Sequence, residues 1–399
     1  MSDMRDALND ELNAFRAKHL YRSVRDVNPP AGNHVFINSK ECVNFASNNY
    51  LGLAQDTRII SAAKDAMDKY GVGAGASRLI SGSGILHAQI EARLAVFKKQ
   101  DAALVFPTGF MANLGIITSL MDSEHDLILA DRLIHASLFD ACSSAKALFK
   151  IYPHNDTEAL QRLLCRYTDK RRVLIVTDGV FSMDGDIAPI HELGTIAAEH
   201  NAWLMVDDAH GTGVLGINGV GSAEECGAHD LVTIHMGTFS KACGVMGGFV
   251  AGPQELRELL INKARSFIYT TGIPPALCAA CITALDIIRD EPWRRVRLRD
   301  LSKYVRNHLR GLGFTVPDGI TPVIPVILHD NELVMNYSRI MMALGVFAPG
   351  IRYPTVPRGQ ERLRVSLQAV HTDDDIEYLL SAMEKCAKRY GTGIITSSE

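Results

Sequence analysis

Three residues on two nearby segments offer chemistry together that none offers alone. "VDDAHGTGVLG" (206–216) carries Asp207 and His210 at the end of an apolar run, and "HMGTFSKACGVMGG" (235–248) sets Lys241 between a Thr-Phe-Ser turn and a series of glycines. Lysine is rarely fully buried without a partner, and glycines let another group approach the backbone closely. A surface lysine needs neither setting, whereas an amine bonded to a cofactor needs both. A strand-end Asp is by itself an ordinary cap or turn residue. Beside such a lysine it can instead hold the proton of a heteroaromatic nitrogen, which makes the ring a sink for the electrons of a carbanion. These are the two demands of pyridoxal 5'-phosphate (PLP): a lysine for its aldehyde and a carboxylate for its ring nitrogen. His210, three residues beyond Asp207, could reach the ring hydroxyl.

The phosphate needs a cradle as well. "FPTGFMAN" (106–113) places Thr108, Gly109 and Phe110 at a strand-to-helix turn, where free N–H groups and the helix dipole favour an anion. Thr238 and Ser240 add hydroxyl donors beside Lys241. His135 in "DRLIHASLFD" starts a helix and reads either as a cap or as an imidazole stacked on the cofactor ring.

These residues need a frame that brings them together. From about residue 100 to 255, near-continuous apolar runs ("DAALVF", "DLILAD", "RRVLIVTD", "AWLMVD", "DLVTIHM", "GGFVAG") alternate with helical periodicity. That pattern predicts an α/β fold with a mostly parallel central sheet covered by helices on both faces. Ser182, Asp207, His210 and Lys241 then fall at or just past the C-terminal ends of strands, where such sheets bind ligands. After "DEPW" (290–293) the texture changes to an Arg-rich helix, strand-like "FTVPDG" and "TPVIPVIL", and a helix through "NELVMNYSRIMMALG". The expected organisation is an N-terminal helix and arm (1–50), a large cofactor-binding domain (51–292) and a smaller C-terminal α+β domain (293–399). The N-terminal helix is expected on the outside of the large domain.

Composition narrows the class. The 399 residues are 47% hydrophobic and 22% charged with a net charge of −4, and no long block of one sign occurs. Nucleic acid is therefore not an expected partner. No apolar run approaches the roughly 20 residues of a membrane helix, and the N-terminal segment lacks a secretory h-region, so a soluble, cytoplasmic protein is expected. Of the eight cysteines, only Cys278 and Cys281 lie close together, in an Ala-rich helical run without nearby His; buried thiols are expected there, and no metal site.

The set "SNNYLGL" (47–53), "GAGASRLISGS" (73–83), "FPTGFMANLG", "DGVFSMDGDIAPI" (178–190), "VDDAHGTGVLG", "GTFSKACG" and "IRYPTVPRG" resembles the α-oxoamine synthases, from about residue 20 to 390. These are PLP-dependent acyltransferases with the type I aminotransferase fold. The resemblance implies Lys241 as the lysine that carries the cofactor and later acts as base, Asp207 at the pyridinium and His210 at the ring hydroxyl. It implies His135 as the stacking group, Ser182 and Thr238 as cofactor contacts, and the backbone of Gly109 and Phe110 on the phosphate. Thr271 in "FIYTTGIPP" would reach that phosphate across a homodimer with shared active sites. Arg364 in "ERLRVSL" would pair bidentately with the amino acid's carboxylate, a geometry that suits arginine. Arg352 is a second candidate, and Asn48 and Arg22 match substrate-contact positions.

The implied reaction joins an amino acid to an acyl thioester, of coenzyme A or a carrier protein, with loss of CO2 and thiol. Several segments most resemble the branch that joins L-alanine to a pimeloyl thioester in biotin synthesis. Tyr353 in "YPTVPRG" is closer to the glycine-using members, and "TFSK" is shared with the serine-using member. An aminotransferase on the same fold would need the same lysine, aspartate and arginine, but "DDAHGTGVLG" argues against it. A non-catalytic cofactor-binding protein would be expected to have lost Lys241, Asp207 or His210, and all three are present.

Overall fold

The apolar runs form a seven-stranded sheet: β1 (Ala102–Phe106), β2 (Asp126–Asp131), β3 (Leu148–Tyr152), β4 (Arg172–Asp178), β5 (Trp203–Asp207), β6 (Ile234–Thr238) and β7 (Gly248–Gly252). In this computed structural model, which describes residues 3–18, 20–29 and 32–393, the strand order is β3–β2–β4–β5–β6–β7–β1. The strands from β3 to β6 are parallel, and β7 runs antiparallel to both of its neighbours. This is the α/β architecture with a mostly parallel central sheet that the sequence predicts.

The strands read as continuous apolar runs because both of their faces are covered. Along β2, Ile128 and Ala130 pack with Ile116 and Leu138 on one face, while Leu127 and Leu129 pack with Leu160 and Leu193 on the other. This is the two-residue period of a strand buried from both sides. The parallel connections leave every strand end from β2 to β6 on the same edge, and the polar residues identified from sequence follow there.

Beyond the helix Pro275–Asp290, which holds the buried Cys278 and Cys281, the long helix Trp293–Gly311 turns Leu298, Leu301, Val305 and Leu309 inward. It backs a small antiparallel sheet of Val323–Ile327, Arg362–Ser366 and Gly350–Ile351. The segment "FTVPDG", expected as a strand, is reduced to a single bridge between Thr315 and Ile327, since the small sheet has paired Val323–Ile327 with Arg362–Ser366. A further sheet joins the two ends of the chain: Val27–Asn28, His34–Ile37 and Lys40–Asn44 are completed by Val346–Phe347, parallel to Lys40–Asn44. The helix Met4–Ala17 buries none of its residues. Instead of packing on the large sheet, it borders a groove in which Leu12 and Phe15 face Arg352 and Tyr353. No described helix is long and apolar enough to cross a membrane.

Candidate active site

Strand β5 ends at Asp207 and β6 at Thr238, and the turns that follow carry His210 and Lys241 into one cleft of about 150 Å³. The glycines after Lys241 serve close backbone packing more than access to the amine. At Gly244, in the left-handed region at φ +68°, a Cβ would lie 2.3 Å from the backbone nitrogen of Ala54. At Gly248 it would lie 2.6 Å from the backbone of Gly109, where the cleft meets the start of the helix Gly109–Leu120.

Asp207 is buried and accepts two hydrogen bonds, from Asn113 Nδ2 at 2.8 Å and from the Ala209 N–H at 3.0 Å. Both donors are neutral, so the carboxylate is held in place without a hydrogen bond to a cationic side chain among the described residues. Asp178 lies beside it at the end of β4; burial, reinforced by the charge of Asp207, pushes its carboxyl well above the usual range. Burial also lowers the Lys241 amine, to about 8, against the opposing pull of Asp207 and Asp178. A lysine near 8 is partly neutral at physiological pH, as a nucleophile or base requires.

His135 caps the helix Ala136–Ser144: its Nδ1 accepts from the Ser137 N–H at 3.2 Å and lies 2.8 Å from Ser137 Oγ. Asn113 Nδ2 donates to the same Ser137 oxygen at 2.9 Å, which leaves the hydroxyl proton for His135. Nδ1 is thus an acceptor, and the neutral ring presents an Nε2–H donor. Burial is the main influence holding His135 below its ordinary value. His210 is held well below, first by burial and then by Lys241, Arg364 and His135. Its Nδ1 lies 2.6 Å from the hydroxyl of the fully buried Tyr50.

The small sheet contributes Arg364, which is 6% exposed. Its Nε donates to the Ser182 carbonyl at 2.6 Å, and its two terminal nitrogens converge on Asn48 Oδ1 at 3.2 and 3.1 Å. Ser182 thus meets the site through its backbone, on a loop also tied by Arg362 to Asp184 at 2.6 Å. Thr108 acts as the helix cap, accepting from the Met111 N–H at 3.1 Å, while Gly109, Phe110, Thr238 and Ser240 line the cleft. Thr238 spends its hydroxyl proton on the Gly247 carbonyl at 2.6 Å. Thr271 is exposed and bridges Ser77, away from these residues in the single chain. Arg22 and Arg352 line the separate groove of about 460 Å³ beside the N-terminal helix.

Asn113, Tyr50 and Asp178 are cleft or neighbouring residues that the sequence analysis did not single out. Asn113 lies four residues after Gly109, on the same face of one helix, and that spacing was the available signal. Tyr50 had none, because its partner is 160 residues away.

These residues fit PLP. The cleft offers a partly neutral amine, a carboxylate for a ring nitrogen, and a helix start whose first N–H groups lack internal partners. A Cβ on Gly109 would lie 3.2 Å from Met236 Cε, narrowing the cleft, and the buried Asn113 Oδ1 has no hydrogen-bond partner.

The family model of aminotransferase class I and II matches residues 40–383. The chain belongs to that family. PLP is the cofactor of the family and of this chain. An 8-amino-7-oxononanoate synthase of Geobacter sulfurreducens is 45% identical over 391 residues, covering 97% of this chain and 100% of the relative. A serine palmitoyltransferase of Sphingomonas wittichii superposes with a TM-score of 0.91 at 31% identity, covering 97% and 99% of the two chains. A structure of SPT with PLP superposes with a TM-score of 0.92 at 30% identity, covering 97% and 98%. With likeness along the whole chain to both enzymes, it falls in the acyltransferase branch, the α-oxoamine synthases.

Proposed function

We propose that this chain condenses L-alanine with a pimeloyl thioester, of coenzyme A or a carrier protein, to give 8-amino-7-oxononanoate with release of CO2 and thiol. The observation that carries the reading is the convergence of Lys241, Asp207, His135 and His210 on one cleft with Arg364 nearby, in a chain 45% identical to a synthase of that name. The new bond joins the amino acid's α-carbon to the acyl carbonyl carbon as the C–S bond breaks and thiolate leaves. The carboxylate then departs as CO2, its bonding pair stays on the α-carbon, and a proton replacing the one first removed is delivered there.

PLP, when bound, supplies the electron sink for the α-carbanion. Lys241 holds the cofactor and, once released, removes the α-proton, a task suited to an amine near 8. Asp207 keeps the proton of the ring nitrogen, fixed by Asn113 and the Ala209 N–H. His135, which lines the cleft, would stack on the bound ring and would offer Nε2–H to the thioester carbonyl, where charge develops during attack. His210 serves the ring hydroxyl, and the first turn at Gly109 and Phe110 holds the phosphate with the Ser240 hydroxyl. Thr238, its own proton given to the Gly247 carbonyl, accepts from the Ser240 N–H at 3.1 Å and so places that serine. Arg364, placed by Ser182 and Asn48, binds the carboxylate. Thr271 contributes to the phosphate site from the partner of a homodimer, and Arg22 and Arg352 contact the acyl donor in the groove.

The test is a matrix of alanine, glycine and serine against pimeloyl, acetyl, succinyl and palmitoyl thioesters, scored by thiol release and CO2. Alanine with the pimeloyl donor should dominate. Turnover with glycine or serine but not alanine would overturn the assignment, and formation of a 2-oxo acid without thiol release would indicate an aminotransferase.

A further inference from the structure

The hydroxyl of Tyr50 lies between the two halves of the site. It is 2.6 Å from His210 Nδ1, 3.1 Å from Asn48 Oδ1 and 3.5 Å from a terminal nitrogen of Arg364. Asn48 Oδ1 faces two guanidinium donors, at 3.2 and 3.1 Å, which both orient the amide and occupy its two lone pairs. Arg364 has no acceptor, so toward Tyr50 it can only donate. The single proton of Tyr50 is left with one good acceptor, at the shortest of its contacts: His210 Nδ1. A histidine that accepts at Nδ1 and stays neutral carries its proton on Nε2. His210 lines the cleft. Lys241, Arg364, His135 and Tyr50 surround it. Although Asp207 and Asp178 line the same cleft, Asp207 is bonded to Asn113 and the Ala209 N–H, and neither carboxylate is hydrogen-bonded to His210 among the described residues.

We propose that Tyr50 is a positioning residue that locks His210 in the Nε2–H tautomer and links it, through Arg364 and Asn48, to the site for the amino acid's carboxylate. This rests on the reading of His210 as the partner of the ring hydroxyl. In that role a neutral Nε2–H donates to the ring oxygen. A carboxylate that draws the Arg364 donors away from Asn48 frees an acceptor for the Tyr50 proton, so occupancy at one end of the network is felt at the other.

Ring-¹⁵N-histidine protein, free of cofactor, reports the tautomer directly by long-range ¹H–¹⁵N correlation, with His210→Gln assigning the signal. The parent should show the Nε2–H pattern. In Tyr50→Phe the two ring-nitrogen shifts should draw together as the tautomers exchange. In Asn48→Ala they should stay as in the parent, because Tyr50 retains only His210 as acceptor. An Nδ1–H form in the parent, or an unchanged pattern in Tyr50→Phe, overturns the proposal. In the PLP-loaded protein, Tyr50→Phe should displace the pH midpoint of the visible band by about half a unit to one unit, the worth of one hydrogen bond. An unmoved midpoint breaks the link to the ring. Failure of the underlying reading shows separately: His210→Gln would then leave that midpoint in place.

Discussion

His154 ties two parts of the site's support together, and its titration should be visible in the stability of the whole chain. Nδ1 contacts Asp131, at the end of β2, at 3.0 Å, and Nε2 contacts Asp186, on the Ser182 loop, at 2.9 Å. The ring stands edge-on to Phe181 at 4.4 Å. Burial, the largest single influence, would lower the imidazole, but the hydrogen bonds and charges of the two aspartates outweigh it and raise the group to about 10. A raised folded value means that the stabilisation is fully present below the unfolded value, near 6.5, and is lost as pH rises through about 10. At ~1.4 kcal/mol per unit the shift has a ceiling of ~5 kcal/mol, which solvent screening of the 27% exposed side chain reduces to about 2–4 kcal/mol. His154→Gln, neutral throughout, should therefore be less stable by about 2–4 kcal/mol at pH 6. The gap to the parent should narrow steadily from neutral pH and close near pH 10. Urea unfolding at fixed protein concentration, from pH 6 to 10, measures it. A gap that stays constant across that range would refute the assignment of a protonated His154 between two carboxylates.

Lys241→Ala should lose the visible absorbance of the lysine-bound cofactor while far-UV circular dichroism stays unchanged; reduced cofactor that stays covalently attached to the variant after borohydride treatment and a denaturing wash would mean another lysine carries it. Arg364→Ala should raise the KM for the amino acid by the cost of a broken buried charge pair, about 2–5 kcal/mol, or at least thirtyfold; an unchanged KM would move the carboxylate to another group. Gly248→Ala puts a methyl 2.5 Å from the Thr108 carbonyl and 2.6 Å from Gly109. Equilibrium dialysis should show PLP binding weakened by about tenfold or more, as a small shift of the helix start would cause (~1.4 kcal/mol); unchanged binding would separate that turn from the phosphate. Lys98→Met leaves Asp208 buried without its cation, 3.3 Å from the present Nζ, and should cost about 3–5 kcal/mol in urea unfolding. A loss below about 1 kcal/mol would show that Ser222 and Thr212 suffice to satisfy that carboxylate.

The central sheet was legible because doubly buried strands leave continuous apolar runs, and Asp207, His210 and Lys241 because they interrupt the pattern at strand ends. The reversed direction of β7 was not legible: "GGFVAG" has the same apolar texture whichever way it runs. Asn113 and Tyr50 were hidden for another reason. Their meaning lies in partners 94 and 160 residues away, Asp207 and His210, and only chain closure creates those contacts. The strand expected in "FTVPDG" failed because sheet membership is a competition for edges. Arg364 and Arg22 both carried substrate expectations, yet Arg22 is exposed beside a groove while Arg364 is buried among Ser182, Asn48, Ser366 and Tyr50, a difference that only the folded chain displays.

The sheet that unites Lys40–Asn44 with Val346–Phe347 has a bearing on how the enzyme comes into being. The backbone of Phe45 also accepts from Ser366, and that of Tyr50 from Ala369. A ribosome must therefore deliver some three hundred further residues, on the order of half a minute of synthesis, before the arm holding Asn48 and Tyr50 meets its partners. Until then the early arm has an unpaired strand edge, a natural client for holding chaperones. The binding half of the site is thus assembled last, after the cofactor sheet has emerged, and a nascent chain able to hold PLP is not yet one able to select an amino acid.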